Sequence, residues 1–233
     1  MQSGTLYLCD SLSTGLDDFR ATVALPQQAP VDSVSEGIDI RDSKKTEDGV
    51  LIQSGDAAAE ELIEDEVTQI TDSRISNRTK ETINANFGTF TYSSDGILIV
   101  GGGSSFIPQI ISEHTEINAQ SSKIDINSYF DFLRSVHGPD DVEVWKVGFE
   151  EKRTNADNGV LHGSDLMNDS ELKPLLESSE KTQLGVEFQF RGERINLYVA
   201  ESGYFDIYEP TNYPDKQVVE FLQDQLTQFA TTE

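Results

Sequence analysis

Two arginines near the end of the chain, Arg191 and Arg194, are the residues whose type and spacing best suit ligand binding. Alternating apolar and polar residues predict a β-hairpin around them with the two-residue loop Gly192-Glu193, which places the arginines opposite each other. Like charges in that position destabilise a strand pair, so a bound partner would explain their presence. The polar residues predicted to share this binding face are Gln189, Asn196, Tyr198, Tyr204, Asp206 and Tyr208.

Tyrosine and arginine side chains on one sheet face suit two kinds of partner. They can stack on nucleic-acid bases or anchor a protein. A purely structural interpretation is also open, in which nearby acids neutralise the arginines or the face packs against the N-terminal half of the chain. We expect a protein partner or self-assembly, with nucleic acid as the other candidate, because no helix rich in Arg and Lys is visible.

The run Gly101, Gly102, Gly103, Ser104 and Ser105 lies between a predicted strand and a predicted helix. This arrangement can point backbone N–H groups at a phosphate, so the run is a candidate anion-binding loop. The run has no P-loop lysine, however, and the next residue is a phenylalanine where a dinucleotide fingerprint has its third glycine. A simple turn is therefore the favoured interpretation, and we expect no cofactor.

The histidines offer the material for a metal site. His137, Asp140, Asp141 and His162 would supply four ligands if the fold joined their loops, which would suit a metal-assisted hydrolase or nuclease. No two histidines have the i, i+4 spacing of a helical metal motif, which favours ordinary surface histidines and no metal site. No Gly-x-Ser-x-Gly motif is present either, so we expect no catalytic residues.

The net charge of the chain indicates the kind of solvent to which the protein is adapted. The 233 residues include 42 acids and 17 bases, which gives a formal net charge of −25 and a pI near 4.2. Such a charge repels itself at low ionic strength, whereas about 1 M salt shortens the Debye length to about 3 Å. Acids spread along the chain therefore predict a halophilic protein of a salt-rich cytoplasm, and an acidic mesophilic protein is the alternative. Either could be free in the cytoplasm or enclosed in a particle. Three of the scarce bases, Arg74, Arg78 and Lys80, fall within seven residues.

Membrane and disulfide architectures do not fit the sequence. No run approaches the roughly 18 apolar residues that cross a bilayer. The first ten residues lack the pattern of a secretory signal, so we expect no secretion by that route. Cys9 is the single cysteine, which excludes an internal disulfide.

Apolar periodicity predicts an α+β fold with antiparallel sheets. Residues 1–81 are predicted to form a loop-rich region with short strands and one helix over about 56–69. There Leu62, Ile63, Val67 and Ile70 follow helical spacing. Residues 82–233 are predicted to form an α+β domain, and a single domain for the whole chain is the alternative.

The predicted C-terminal domain ends in a three- to four-stranded meander covered by amphipathic helices. Its other predicted elements are a hairpin (82–92 and 97–100), helices at 106–114, 128–137 and from 215, and a strand at 142–151 with Trp145, Val147 and Phe149 on one face. In the meander, a turn at 201–203 pairs Val199 with Phe205 and Leu197 with Ile207. Its inward residues are predicted to be Leu184, Val186, Phe188, Phe190, Ile195, Leu197 and Val199.

These observations favour a non-enzymatic binding or regulatory protein that uses the polar face of its C-terminal sheet. A structural subunit of an assembly, such as a viral capsid, is the first alternative, because many short strands and no catalytic motif suit that role. A metal-assisted hydrolase or nuclease is the second.

Overall fold

The structure is a computed structural model that describes residues 2–10, 15–25, 29, 31–71, 74–150 and 158–232. Its strands are β1 (Ser3–Cys9), β2 (Phe19–Ala24), β3 (Ser33–Lys45), β4 (Leu51–Thr71), β5 (Arg74–Ser93), β6 (Ile97–Val100), β7 (Ala119–Ile124), β8 (Glu143–Glu150), β9 (Asn158–His162), β10 (Glu180–Phe190), β11 (Glu193–Ala200), β12 (Tyr204–Glu209) and β13 (Ala230–Thr232). Its α-helices are α1 (Phe106–His114), α2 (Ile126–His137), α3 (Lys173–Ser178) and α4 (Asp215–Gln225). Glu151, the predicted last residue of the strand at 142–151, lies outside the described residues.

Antiparallel pairing dominates the fold. Eleven strands follow one another in the order β2-β3-β4-β5-β6-β1-β12-β11-β10-β8-β9, and β7 joins β1 to β13 beside this path. Strand β1 lies between β6 and β12, so it links the N-terminal strands to the C-terminal meander. A mostly antiparallel sheet with few helices confirms the antiparallel part of the predicted fold class.

Two apolar clusters lie on opposite faces of the sheet, since neighbouring residues of one strand belong to different clusters. Ile97 and Ile99 of β6 contribute to the larger cluster, whereas Leu98 and Val100 contribute to the smaller one. The larger cluster also contains the inward residues of the meander and the buried residues of α2 and α4. The smaller cluster contains three isoleucines of α1.

Helices α1, α2 and α4 lie close to their predicted positions, and α2 has a side-chain cap. Helix α1 covers the predicted 106–114. Helix α2 begins after Asp125, whose carboxylate accepts a hydrogen bond from the Ser128 N–H at 2.9 Å, and it ends before Gly138 at φ 92°. Helix α4 begins at Asp215, as predicted, and buries Phe221 against the rings of Phe188 and Phe190.

The helix predicted over 56–69 is wrong, because these residues belong to the 21-residue strand β4. Strand β4 pairs with β5 along its whole length, from Ile52 opposite Ser93 to Thr71 opposite Arg74. The hairpin predicted between 82–92 and 97–100 is confirmed, although β5 begins earlier than expected. Residue 81, where the sequence suggested a division into two domains, pairs with Glu64 inside this long hairpin.

The meander has the predicted strand order with one error of register. Val199 pairs with Phe205 and Leu197 with Ile207, as the three-residue turn before Tyr204 predicted. In the preceding hairpin, however, Phe190 pairs with Glu193, so the loop is Arg191-Gly192 rather than Gly192-Glu193. Both loop residues have positive φ, 50° and 85°, which is the conformation of a type I′ turn.

Candidate functional site

The polar side of the meander forms the candidate site. Residues on this side of β10, β11 and β12 are half-buried or exposed except for Gly185, whereas their inward-facing neighbours are buried. We call it the outer face and define it by the side chains of Trp145, Lys146, Gln183, Glu187, Gln189, Arg194, Asn196, Tyr198, Tyr204, Asp206 and Tyr208. Six of the seven predicted binding residues lie on this face, and the seventh, Arg191, lies in the turn between β10 and β11.

Trp145 reaches the outer face because of a β-bulge. Lys146 pairs with Gly185 and Val144 with Val186, so Trp145 is an extra residue on β8. Its indole lies over Gly185, where an added Cβ would come within 2.7 Å of two ring carbons. The prediction that Trp145 shares a face with Val147 is therefore wrong, because Val147 is buried in the larger apolar cluster.

Four aromatic rings of the outer face form two contacting pairs. The ring centroids of Trp145 and Tyr208 are 5.8 Å apart, and those of Tyr198 and Tyr204 are 6.0 Å apart. The Lys146 ammonium lies 4.1 Å from the centroid of the Tyr198 ring, and the Tyr198 hydroxyl donates to Gln183 Oε1 at 2.9 Å. Burial and neighbouring groups raise the pKa of all three tyrosines, so they are neutral donors at physiological pH.

Asp206 is the carboxylate among these rings. It is half-buried on β12 between Tyr204 and Tyr208, and it pairs across the strands with Tyr198. Burial raises the pKa of its carboxyl, and no hydrogen bond or ion pair to it is present among the described residues. Burial raises the pKa of Tyr204 and Tyr208, and the negative charge of Asp206 raises both further.

The two arginines do not form the predicted pair. Arg194 lies opposite Gln189, and its guanidinium bonds the Glu187 carboxylate and lies 3.8 Å from Glu209. Arg191 lies in the turn and bonds Asp224 of α4 at 2.6 Å. The expected pairing of Arg191 with Arg194 is wrong, and each arginine is neutralised by acids of the same chain.

Two buried polar atoms of the outer face have no hydrogen-bond partner in the described part of the chain. They are Nε1 of Trp145, a donor, and Oδ1 of Asn196, an acceptor. Buried polar groups nearly always find a partner, because leaving one unpaired costs about 1–3 kcal/mol. Both atoms lie beneath the surface of the outer face, so a ligand would contact them only after the side chains above them had moved.

The glycine run packs as a turn against the sheet. Gly102 and Gly103 are exposed with positive φ, and Ser104 is buried against Gly88 of β5. The Ser104 carbonyl accepts from the Ile107 N–H at 3.1 Å, so it begins the first turn of α1. Anion binding by this run stays a prediction.

The four residues predicted as metal ligands, His137, Asp140, Asp141 and His162, do not form a ligand cluster among the described residues. Among the described residues, one group of three places its ligand atoms within 4.8 Å of one another, and it consists of Glu36, Glu113 and His114. Within this group His114 Nε2 already bonds Glu36 at 2.5 Å. The structure therefore joins a different histidine to acids than the sequence suggested, in an arrangement that an ion pair explains.

His137 is the last residue of α2 and is half-buried. Its ring lies 5.0 Å from that of Phe188, and its Nε2 is buried without a partner among the described residues. Burial lowers its pKa, with Asp141 acting in the opposite direction. The neutral imidazole is therefore the form that the folded chain prefers.

We expect His137→Phe to reduce the loss of stability on acidification. Because the pKa of His137 is lower in the folded than in the unfolded chain, the unfolded chain binds more protons as the pH falls below about 6.5. The phenylalanine keeps the ring and removes this titration. Urea midpoints at pH 7.5 and 5.5 should therefore differ less for the variant than for the native chain, and equal differences would contradict the assignment.

Comparison with known proteins finds neither a family model nor a curated protein that matches this sequence. The longest described helix, α2, has 12 residues, and no described helix is both long and apolar enough to cross a membrane. The functional argument therefore depends on the outer face itself. Sequence reasoning found its tyrosines but missed Trp145 and Lys146, for which Gly185 on the neighbouring strand was the available signal.

Proposed function

We propose that the chain is a non-enzymatic binding module whose outer face receives a cationic side chain of a protein partner. The observation that carries this proposal is the half-buried Asp206 carboxylate, which lies among aromatic rings without a base beside it. The arginines that first drew attention to this sheet face are already paired, so the site accepts a cation rather than supplying one.

The chemistry around Asp206 suits a guanidinium group. A buried charge is costly unless it is paired, and an arginine of the partner would pair it through charge-assisted hydrogen bonds. The faces of Trp145 and Tyr208 attract cations, by about 0.5–2 kcal/mol for each contact.

The opposite side of the meander supports the same proposal. We infer that α2 and α4 cover its inner face, since Phe221 contacts both Phe188 and Phe190. The outer face is then the side left to a partner. The proposal includes the salt-rich cytoplasm expected from the net charge of −25, because close contacts with desolvated aromatic rings survive screening better than long-range attraction.

Binding can be followed through Trp145, the single tryptophan of the chain. We expect a tetra-arginine peptide, titrated in 1 M KCl, to change the tryptophan emission saturably. Asp206→Asn should raise the dissociation constant at least tenfold, because it removes the charge that pairs the guanidinium. Tyr208→Ala should weaken binding in the same direction, because it removes a ring beside the site.

Asp48→Asn is the matched control, since Asp48 is an exposed turn residue and its loss changes the net charge equally. The control should bind the peptide as the native chain does. If Asp206→Asn and Asp48→Asn weaken binding equally, the peptide is bound by general charge attraction, which would contradict the proposal. A response to a thymidine dodecamer without a response to the peptide would instead favour nucleic acid as the partner.

A further inference from the structure

The distal half of the β4–β5 hairpin extends beyond the rest of the sheet. We call residues 62–71 and 74–83 the arm. Strand β3 accompanies β4 no further than Ala59, and β6 accompanies β5 only from Phe90 to Ser93. Ten residues of strand span about 34 Å, and all described side chains from Glu64 to Ile70 are exposed.

An isolated two-stranded hairpin of this length is marginally stable in water, and its open edges and apolar side chains favour association. Ile70 and Ile75 face each other across the arm and are 75% and 71% exposed. Val67 is also exposed. The arm therefore has the properties of an element that is completed by a partner.

The two faces of the arm differ in charge. Arg74, Arg78 and Lys80 occupy even positions of β5, so they share one face, where Asp65 opposite Lys80 is the one acid among the described residues. Glu64, Glu66 and Glu81 lie on the other face together with Ile70 and Ile75, whereas Val67 pairs with Arg78 on the basic face. The basic cluster noted in the sequence therefore lies on one face of the arm.

This basic face stands out against the rest of the chain. Its three bases and one described acid give it a net charge of +2, whereas the whole chain carries −25. A second copy of the chain therefore offers an oppositely charged surface to the arm. Nucleic acid fits less well, because the acidic body would repel a polyanion.

We propose that the basic face of the arm docks on the outer face of a second copy, where one of its arginines pairs with Asp206. This inference rests on the proposed function of the outer face and names its partner. Each copy carries one arm and one receiving surface at different places, so the contact is head-to-tail and generates rings or filaments. A structural subunit, the alternative drawn from the sequence, would use this contact.

The test uses two full-length variants, each of which loses one side of the contact. The arm variant carries R74E, R78E and K80E, and the face variant carries D206N and Y208A. Light scattering coupled to size exclusion in 1 M KCl should show the native mass rising with concentration above 25.8 kDa. Each variant alone should remain monomeric at 200 μM. Their equimolar mixture should form a dimer and nothing larger, because only one productive contact is left.

The control carries K44E, K45E and K173E, three exposed lysines outside the arm, and has the same net charge as the arm variant. It should assemble as the native chain does, and a monomeric control would overturn the inference. A mixture of the two variants that stays monomeric would also overturn the inference. Assembly of both variants when each is alone would overturn it as well. Thermal unfolding of each variant verifies folding, and the arm variant, whose changes are all on exposed residues, is sufficient if the face variant fails to fold.

The tetra-arginine titration separates the two proposals. A native chain that binds the peptide at the outer face but stays monomeric at 200 μM would overturn the docking inference alone. A chain that neither binds the peptide nor assembles would overturn both. Absorbance at 260 nm that persists through purification of the native chain and disappears in the arm variant would assign the arm to nucleic acid and overturn the second copy as its partner.

Discussion

Gly203→Ala should lower the free energy of unfolding by about 3 kcal/mol. Gly203 has φ 79°, a conformation that costs a residue with a Cβ about 1–2 kcal/mol. The added Cβ would also lie 2.9 Å from the carbonyl oxygen of Ser122 and 3.0 Å from that of Leu6. Both are backbone atoms of paired strands, so relieving the contact requires the strands to move, which adds about 1–3 kcal/mol.

Gly192→Ala is the matched control for this prediction. Gly192 has a similar φ of 85°, but no atom lies within 4 Å of the position of an added Cβ. It should therefore cost about 1–2 kcal/mol, the conformational cost alone. Urea denaturation of both variants measures the difference, and equal losses would show that the close approach at Gly203 is relieved without cost.

Phe221→Ala should cost about 3–5 kcal/mol, because it empties a fully buried site. The Phe221 ring lies 5.3 Å from that of Phe190 and 6.3 Å from that of Phe188, so the cavity would open between α4 and the meander. Phe87→Ala removes the same side chain at a position that is 65% exposed, and should change stability by about 0.5 kcal/mol or less. Comparable losses in the two urea titrations would contradict the packing of α4.

The elements with one buried face were predictable from sequence. The meander alternates buried and accessible residues, and its pairing of Val199 with Phe205 followed from the glycine of the three-residue turn. Helices α1 and α4 also have apolar positions at helical spacing and lie against the sheet. In each case the periodicity reflects a real boundary between core and solvent.

The sequence of the arm has no periodicity that marks a buried face. Its side chains are exposed on both faces, so the spacing of Leu62, Ile63, Val67 and Ile70 does not mark a buried side and resembled a helix by chance. The β4 half of the arm is a strand because it forms cross-strand hydrogen bonds with β5. The local pattern of residues 56–69 does not reveal that partner.

Only part of the candidate site was predicted, because alternation locates residues in regular strands but not at irregularities. The tyrosines of β11 and β12 followed from alternation, but Trp145 depends on a one-residue bulge, which alternation alone cannot locate. The position of Arg191 depended on a single step of register in the turn. Arg191-Gly192 and Gly192-Glu193 are both two-residue loops containing glycine, and the structure selects the one that brings Arg191 to Asp224 of α4.

The central position of β1 sets the order in which the chain can fold. Ser3 pairs with Asp206 in β12, about 200 residues later, while Leu6 pairs with Ile99 in β6. During synthesis β1 can associate early with β6 and β7, but its edge at residues 3–5 stays open until the segment of β12 has left the ribosome. Pairing over such a separation is slow, because closing a long loop must precede the contacts that reward it. Joining of the meander to β1 is therefore a late step of folding, and the exposed edge of β1 until then is the point at which a chaperone would protect the nascent chain.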